Sequence, residues 1–321
     1  MHTAVTLLWF CVGVIFIVKG GDFFVDAASW LAETFGIPKL IVGATVVSFA
    51  TTLPELLVSS FAAAEGKVDM AIGNAVGSVT ANIGLIMGIS LVCMPALIRR
   101  KDYLLKGVLM LGAALFLVLF GAGGQVALLP SVALLVIFAV AMWDNLRAAK
   151  AGMLAAQQKN GPREKPGKKE LGWNLLCFFV GAVGIVVGAQ LLVDHGSELA
   201  RIIGVPERII GVTVIAIGTS LPELVTTLTA IAKGQSSLSV GNIIGANIID
   251  LTLILPVCAL ISGGALPVSR TVAMIDLPAC LLVGFIALVP ALVKKRFMRW
   301  QGFTLLGVYA VYLFITCSGL V

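Results

Sequence analysis

Charged side chains are scarce: Asp, Glu, Lys and Arg make up 12% of the 321 residues, about half of what a soluble domain carries. Together with 59% hydrophobic residues and a mean hydropathy of +1.07, that shortage excludes an ordinary water-soluble fold. Histidine is rarer still. His2 and His195 stand too far apart to build a histidine-based metal site, and no H-E-x-x-H run exists, so an intramembrane metal hydrolase finds no ligands. The six cysteines show no C-x-x-C spacing and read as small apolar residues, neither a disulfide framework nor a metal cluster. Phosphate loops are missing too: the glycine pairs of GNAVG (73–77) and GNIIG (241–245) have neither the G-x-x-x-x-G-K nor the G-x-G-x-x-G form. They have instead the G-x-x-x-G spacing that lets helices approach closely.

What remains is long apolar runs. Spans of about 20 apolar residues read at 5–22, 39–64, 70–95, 103–121, 126–146, 172–193, 207–232, 238–262, 271–293 and 301–319. The expected fold class is an all-α polytopic membrane protein with ten transmembrane helices. The first run is interrupted by Lys19, Gly20, Gly21 and Asp22. It has no preceding Lys or Arg and no small-residue cleavage site, so it reads as a retained helix rather than a signal peptide.

The net charge of +6 reads as topology, not as a nucleic-acid footprint. With the N-terminus outside, only Lys67, Arg201, Arg208 and Arg270 of the 22 basic residues fall on the outer side. This asymmetry follows the positive-inside rule. It puts both termini outside a cell (inner) membrane and residues 147–171, a basic linker expected to have no fold of its own, in the cytoplasm.

Shifting the chain on itself by 168 positions lays GATVVSFATTLPELLVSS (43–60) over GVTVIAIGTSLPELVTTL (211–228). The same shift superposes Asp26, Ser29, Gly36 and Pro38 on Asp194, Ser197, Gly204 and Pro206, and GNAVGSVTAN (73–82) on GNIIGANIID (241–250). Each copy holds five spans, an odd number, so the second enters the bilayer from the opposite side. Residues 1–146 and 172–321 are therefore expected to be inverted five-helix repeats, a plan found in secondary transporters whose site lies at the repeat interface.

Three carboxylates lie deep in these spans: Glu55, Glu223 and Asp250; Asp276 is nearer a span end and reads as an interfacial or packing residue. A carboxylate at the bilayer centre costs at least about 2.5 kcal/mol and needs a cation, a proton or a polar partner. Pro54 and Pro222 precede two of them, and a proline in a helix releases the carbonyl four residues earlier, here Ala50 and Gly218. Thr51 and Thr219 stand one helical turn before the glutamates, with Thr52 and Ser220 beside them. In the following span, Ser78 and Asn82 share the same spacing, and the repeat puts Ala246 and Asp250 in their places. The candidate metal site is thus Glu55, Glu223, Asp250, Asn82, Thr51, Thr52, Thr219, Ser220 and Ser78. Its donors are all oxygen, which suits hard cations such as Ca²⁺ or Na⁺ and disfavours zinc and copper.

On these motifs the sequence resembles the cation/calcium antiporter superfamily, whose inverted repeats carry G-[TS]-S-x-P-E and G-N-x-x-G-[SA]-N. Gly77 and Gly245 stand where proton-coupled members place a glutamate, so the sodium/calcium exchanger branch, prokaryotic type, is the nearer likeness. The resemblance implies a secondary antiporter that extrudes Ca²⁺ against Na⁺ and is not an enzyme. It implies Glu55 and Glu223 as calcium ligands, with backbone carbonyls from Thr51 and Thr219. The implied sodium ligands are Thr51, Ser220, Glu55, Glu223 and Ser78, with main-chain oxygens near Ser48 and Ala216, while Asn82 and Asp250 complete the centre. Ca²⁺ and Na⁺ would be transported ions with no resident cofactor, the partner would be the lipid bilayer, and a monomer would suffice. Ala246 departs from the pattern by removing one hydroxyl that could bind sodium. A proton- or potassium-coupled exchanger using the same carboxylates is the alternative, and a cation channel is a further one.

Overall fold

A computed structural model describes residues 2–95, 98, 100–160, 166–204, 218 and 220–318. The chain is built of helices: α1 (His2–Phe35), α2 (Lys39–Ala64), α3 (Val68–Cys93), α4 (Arg100–Gly121), α5 (Leu128–Asn160), α6 (Lys168–Ile202), α7 (Leu221–Ala232), α8 (Ser236–Ile261), α9 (Val272–Lys294) and α10 (Arg299–Ser318). Among the described residues, all of these except α7 and α10, eight in number, are long and apolar enough to cross a membrane. The short α7 follows residues 205–217 and 219, where the expected span 207–232 begins outside the described residues.

The structure corrects three expectations. The chain is not purely helical, because Gln125–Ala127 pairs antiparallel with Ala265–Pro267. Gly124, Gly263 and Gly264, all with positive φ, turn the chain out of helix just before these strands. The first helix does not stop at Gly20–Gly21 but runs 34 residues, because both glycines are packing positions (below). The linker is also largely folded: α5 continues to Asn160 and α6 opens at Lys168. The run RAAKAGMLAAQQKN is rich in Ala, Lys, Gln, Met and Leu, all strong helix formers, so leaving the apolar span does not end the helix.

Two compact units emerge, and each draws on both sequence halves. Unit 1 comprises residues 1–51 and 144–242, and unit 2 comprises residues 52–143 and 243–321. In unit 1, α1 and α6 form the most extensive helix pairing, running antiparallel. Glycines make it possible. A Cβ on Gly13 would stand 3.1 Å from the Gly188 carbonyl oxygen, and one on Gly20 would stand 2.8 Å from that of Gly181. Gly13 and Gly181, like Gly20 and Gly188, are 168 positions apart, so the contacts swap partners under the repeat offset. Phe24, Ala28, Phe178, Ile185 and Val47 fill the core beneath. A second close crossing joins α2 to α8, where a Cβ on Gly43 would lie 2.3 Å from the Leu238 carbonyl oxygen and one on Gly241 equally near that of Leu40.

Unit 2 packs α10 against α3 and α9 against α4. Gly84 seats the Tyr309 ring, and Gly88 meets Leu306 and Gly302. Pro290 lies inside α9 and cannot donate to the Ile286 carbonyl. The fully buried Gln301 of α10 does so instead, its Nε2 donating to the carbonyls of Ile286 (2.8 Å) and Ala287 (2.9 Å) while its Oε1 accepts from the Met298 N–H.

Candidate functional site

The described polar residues expected from the sequence are buried, and two of them stand where helices are locally irregular. Wider π turns interrupt α2 at Gly43–Val47, α3 at Asn82–Met87, α8 at Asp250–Ile254 and α9 at Val272–Asp276. Asn82 and Asp250 each open such a turn, and they are repeat equivalents 168 positions apart. A π turn inserts a residue into the ladder and is concentrated at functional sites, since it re-aims a side chain and loosens carbonyls.

In unit 2, Glu55 is 1% exposed and Thr52 is 2% exposed on α2, while α3 buries Ser78, Thr80 and Asn82, and α8 buries Asn247 and Asp250. Asn74 of α3 anchors the Glu55 segment: its Nδ2 donates to the Glu55 backbone carbonyl (3.3 Å) and to Ser59 Oγ (2.9 Å). The Asn82 amide donates to Asn247 Oδ1 across 3.2 Å. This leaves the buried Asn82 Oδ1 with no hydrogen bond among the described residues, an acceptor of the kind a cation binds. Thr80 and Thr252 turn their hydroxyls back onto their own helices, at the carbonyls of Val76 and Ile248.

In unit 1, Thr51 Oγ1 lies 3.2 Å from Asn242 Oδ1 and 3.3 Å from the Ser48 carbonyl, all of it buried. Ser220, at 2% exposure, is the residue from which α7 starts, and its Oγ makes no hydrogen bond among the described residues. Glu223 follows in the first turn of α7, fully buried with Thr226 and Thr227. A helix N-terminus carries partial positive charge from its unpaired N–H groups, which steadies a carboxylate there. Thr219 and Ala216 lie outside the described residues.

The described residues bear on the proline argument in the first copy. Pro54 sits inside a helix that runs unbroken from Ser48 to Ala64, so its missing N–H removes a real ladder bond to Ala50. Pro222 sits in the first turn of α7, where an N–H has no partner within that helix, and the segment around Gly218, whose carbonyl the sequence expects to be freed, lies largely outside the described residues. The G-x-x-x-G packing expectation also divides. Gly241 is a close-contact position, whereas a Cβ on Gly73 or Gly77 would meet nothing within 4 Å.

Polar residues not singled out from the sequence accompany the expected ones within each unit: Asn74 and Asn247 in unit 2, and Asn242, Thr226 and Thr227 in unit 1. Their signal was available, since Asn74 and Asn242 are the Asn of the two G-N motifs. Among the described residues, no group of three or more His, Cys, Asp and Glu side chains stands close enough to hold a metal by those groups alone. Glu55 and Asp250 in unit 2 and Glu223 in unit 1 are each buried on helices that also bury hydroxyls or asparagine amides, oxygen donors of the kind hard cations take.

The model of the sodium/calcium exchanger protein family matches residues 5–145 and 173–318. A membrane protein of Methanocaldococcus jannaschii is 30% identical over 310 residues, covering 94% of this chain and 95% of its own. The sodium/calcium exchanger MaX1 of Methanosarcina acetivorans is 28% identical over 347 residues, with 97% and 98% covered. Among solved structures, the sodium-calcium exchanger NCX_Mj soaked with Na⁺ and Sr²⁺ superposes with a TM-score of 0.81 at 27% identity, over 96% of this chain and 98% of that one.

Proposed function

We infer from the premise that this chain belongs to the sodium/calcium exchanger family that it is a secondary antiporter exchanging Ca²⁺ for Na⁺ across the membrane. The observation that carries the reading is the pair of buried glutamates in matching motifs, Glu55 and Glu223, each 1% exposed among hydroxyl and amide oxygens. The proposed ligands are Glu55, Glu223, Asp250, Asn82, Thr51, Thr52, Thr219, Ser220 and Ser78, to which Asn247 and Asn242 add second-layer support through their amides.

Mechanism follows from charge. Buried carboxylates are stable in the membrane when their charge is compensated. One Ca²⁺, with its flexible set of about six to eight oxygens, or two to three Na⁺, as an order-of-magnitude charge count against the same carboxylates, provides that compensation. Because the two cargoes use the same oxygens, occupancy is mutually exclusive, and the compensated protein is the form that changes its open side. Coupled exchange results without a chemical step. The ions are cargo rather than cofactors, and one chain supplies every proposed ligand, so a monomer is sufficient.

The ten-helix inverted-repeat plan is part of the same proposal. It is supported by the family model's two matched segments, by the Asn82 and Asp250 π turns at equivalent positions, and by the Gly13–Gly188 and Gly20–Gly181 contacts that exchange under the offset. The test is ⁴⁵Ca²⁺ uptake into proteoliposomes loaded with Na⁺. The expected result is uptake that depends on the outward Na⁺ gradient and falls at least about tenfold in Glu55→Gln and Glu223→Gln, a loss of about 1.4 kcal/mol or more. Uptake driven equally well by a pH or K⁺ gradient without Na⁺, or unchanged in both variants, overturns the assignment.

A further inference from the structure

On the surface of unit 1, α1 and α6 leave a groove of about 460 Å³ between them. Gly20 and Gly184 form its floor, and Phe16, Phe23 and Phe179 form its walls. The glycines that bring the two helices together at this level leave no side chain to fill the depression, and the aromatic walls are about half exposed. One charged residue lines it, Lys19, itself exposed.

The position of Lys19 decides what would sit there. The next acids on its helix, Asp22 and Asp26, are both paired with Lys233, at 3.2 and 2.7 Å, with side chains 41% and 67% exposed. By the distribution of basic residues these acids lie toward the end of α1 expected to face the cytoplasm. Lys19 lies three residues nearer the bilayer, about 4.5 Å along the helix axis. Its flexible stem lets the ammonium reach the boundary while its methylenes lie along the groove. The result is an apolar trough, lined on α1 from Phe16 to Phe23, with one ammonium at its edge that no acid among the described residues neutralises. Its match is a molecule with a hydrocarbon chain below and a negative group at headgroup level.

We propose that this groove binds an anionic phospholipid of the cytoplasmic leaflet, one acyl chain lying over Gly20 and Gly184 and the phosphate paired with Lys19. A lipid bound there lies against the α1–α6 pair of unit 1.

Native mass spectrometry of the full chain in mild detergent tests this without using transport. Phosphatidylglycerol and phosphatidylcholine of identical acyl chains are titrated against the wild type, Lys19→Gln, Lys19→Arg and Val180→Trp. Val180 lines the same groove and is 51% exposed, so an indole there fills the trough without entering the core. The wild type should bind phosphatidylglycerol about fivefold more tightly than phosphatidylcholine, which is the ~1 kcal/mol that one basic residue contributes near an anionic surface. Lys19→Gln should lose the preference, Lys19→Arg should keep it, and Val180→Trp should weaken both lipids. Glycerol phosphate, which has the headgroup charge and no chains, should not compete. Equal binding of the two lipids, an unchanged preference in Lys19→Gln, full binding in Val180→Trp, displacement by glycerol phosphate, or a dimer that excludes lipid would each overturn the proposal.

Discussion

At the scale of single residues, the proposed site holds amides in place as well as carboxylates. Asn74 holds the Glu55 segment by two bonds, to the Glu55 carbonyl and to Ser59, and Asn82 is held by Asn247. Losing a buried hydrogen bond costs about 1–3 kcal/mol when a partner is stranded. Asn74→Ala should therefore raise the Ca²⁺ concentration for half-maximal uptake by about fivefold or more. An unchanged value, read from the Ca²⁺ dependence of initial uptake rates, would remove Asn74 from the site. The carboxylates were legible in the sequence because a charge inside an apolar run has no cheap explanation. Asn82 was legible through its repeat with Asp250, whereas Asn74, Asn242 and Asn247 were passed over, since an Asn in a glycine-rich helix reads equally as a packing residue until its partners are seen.

At the scale of elements, the two prolines stand at different places in their described helices. Pro54 interrupts the ladder of a continuous helix, while Pro222 begins one. Pro290 shows how this protein satisfies a freed carbonyl when nothing is to be bound there: Gln301 reaches across from α10 and donates to Ile286 and Ala287. Gln301→Leu keeps the bulk and removes the donor, so it should cost about 1–2 kcal/mol of stability and lower the thermal midpoint in detergent. A midpoint equal to the wild type would show that those carbonyls need no partner. The extension of α5 through residues 147–160 belongs to this scale as well. The hydrophobic window ended at 146, but helix propensity did not, and propensity decides where no packing opposes it.

At the scale of the whole molecule, the distribution of Lys and Arg makes a prediction about sidedness. A protease site inserted at 161–165, between α5 and α6, should be cut in inside-out vesicles and spared in intact spheroplasts, and a tag after Val321 should show the reverse. Cleavage of both from the same side would reject the assigned topology. The sequence by itself determined that the chain is a membrane protein, that it is internally duplicated, and that matched motifs bury Glu55 and Glu223, because hydropathy, a fixed offset and misplaced charge are all properties of the chain read in one dimension. Only the tertiary structure decided that Asn82 and Asp250 both open π turns, that Gly20 and Gly181 are backbone contacts while Gly73 and Gly77 are open, and that each compact unit takes chain from both halves. The reason is physical: a glycine or an amide has the same local preferences wherever it stands, and what it does is fixed by which distant backbone or side chain comes within about 3 Å of it.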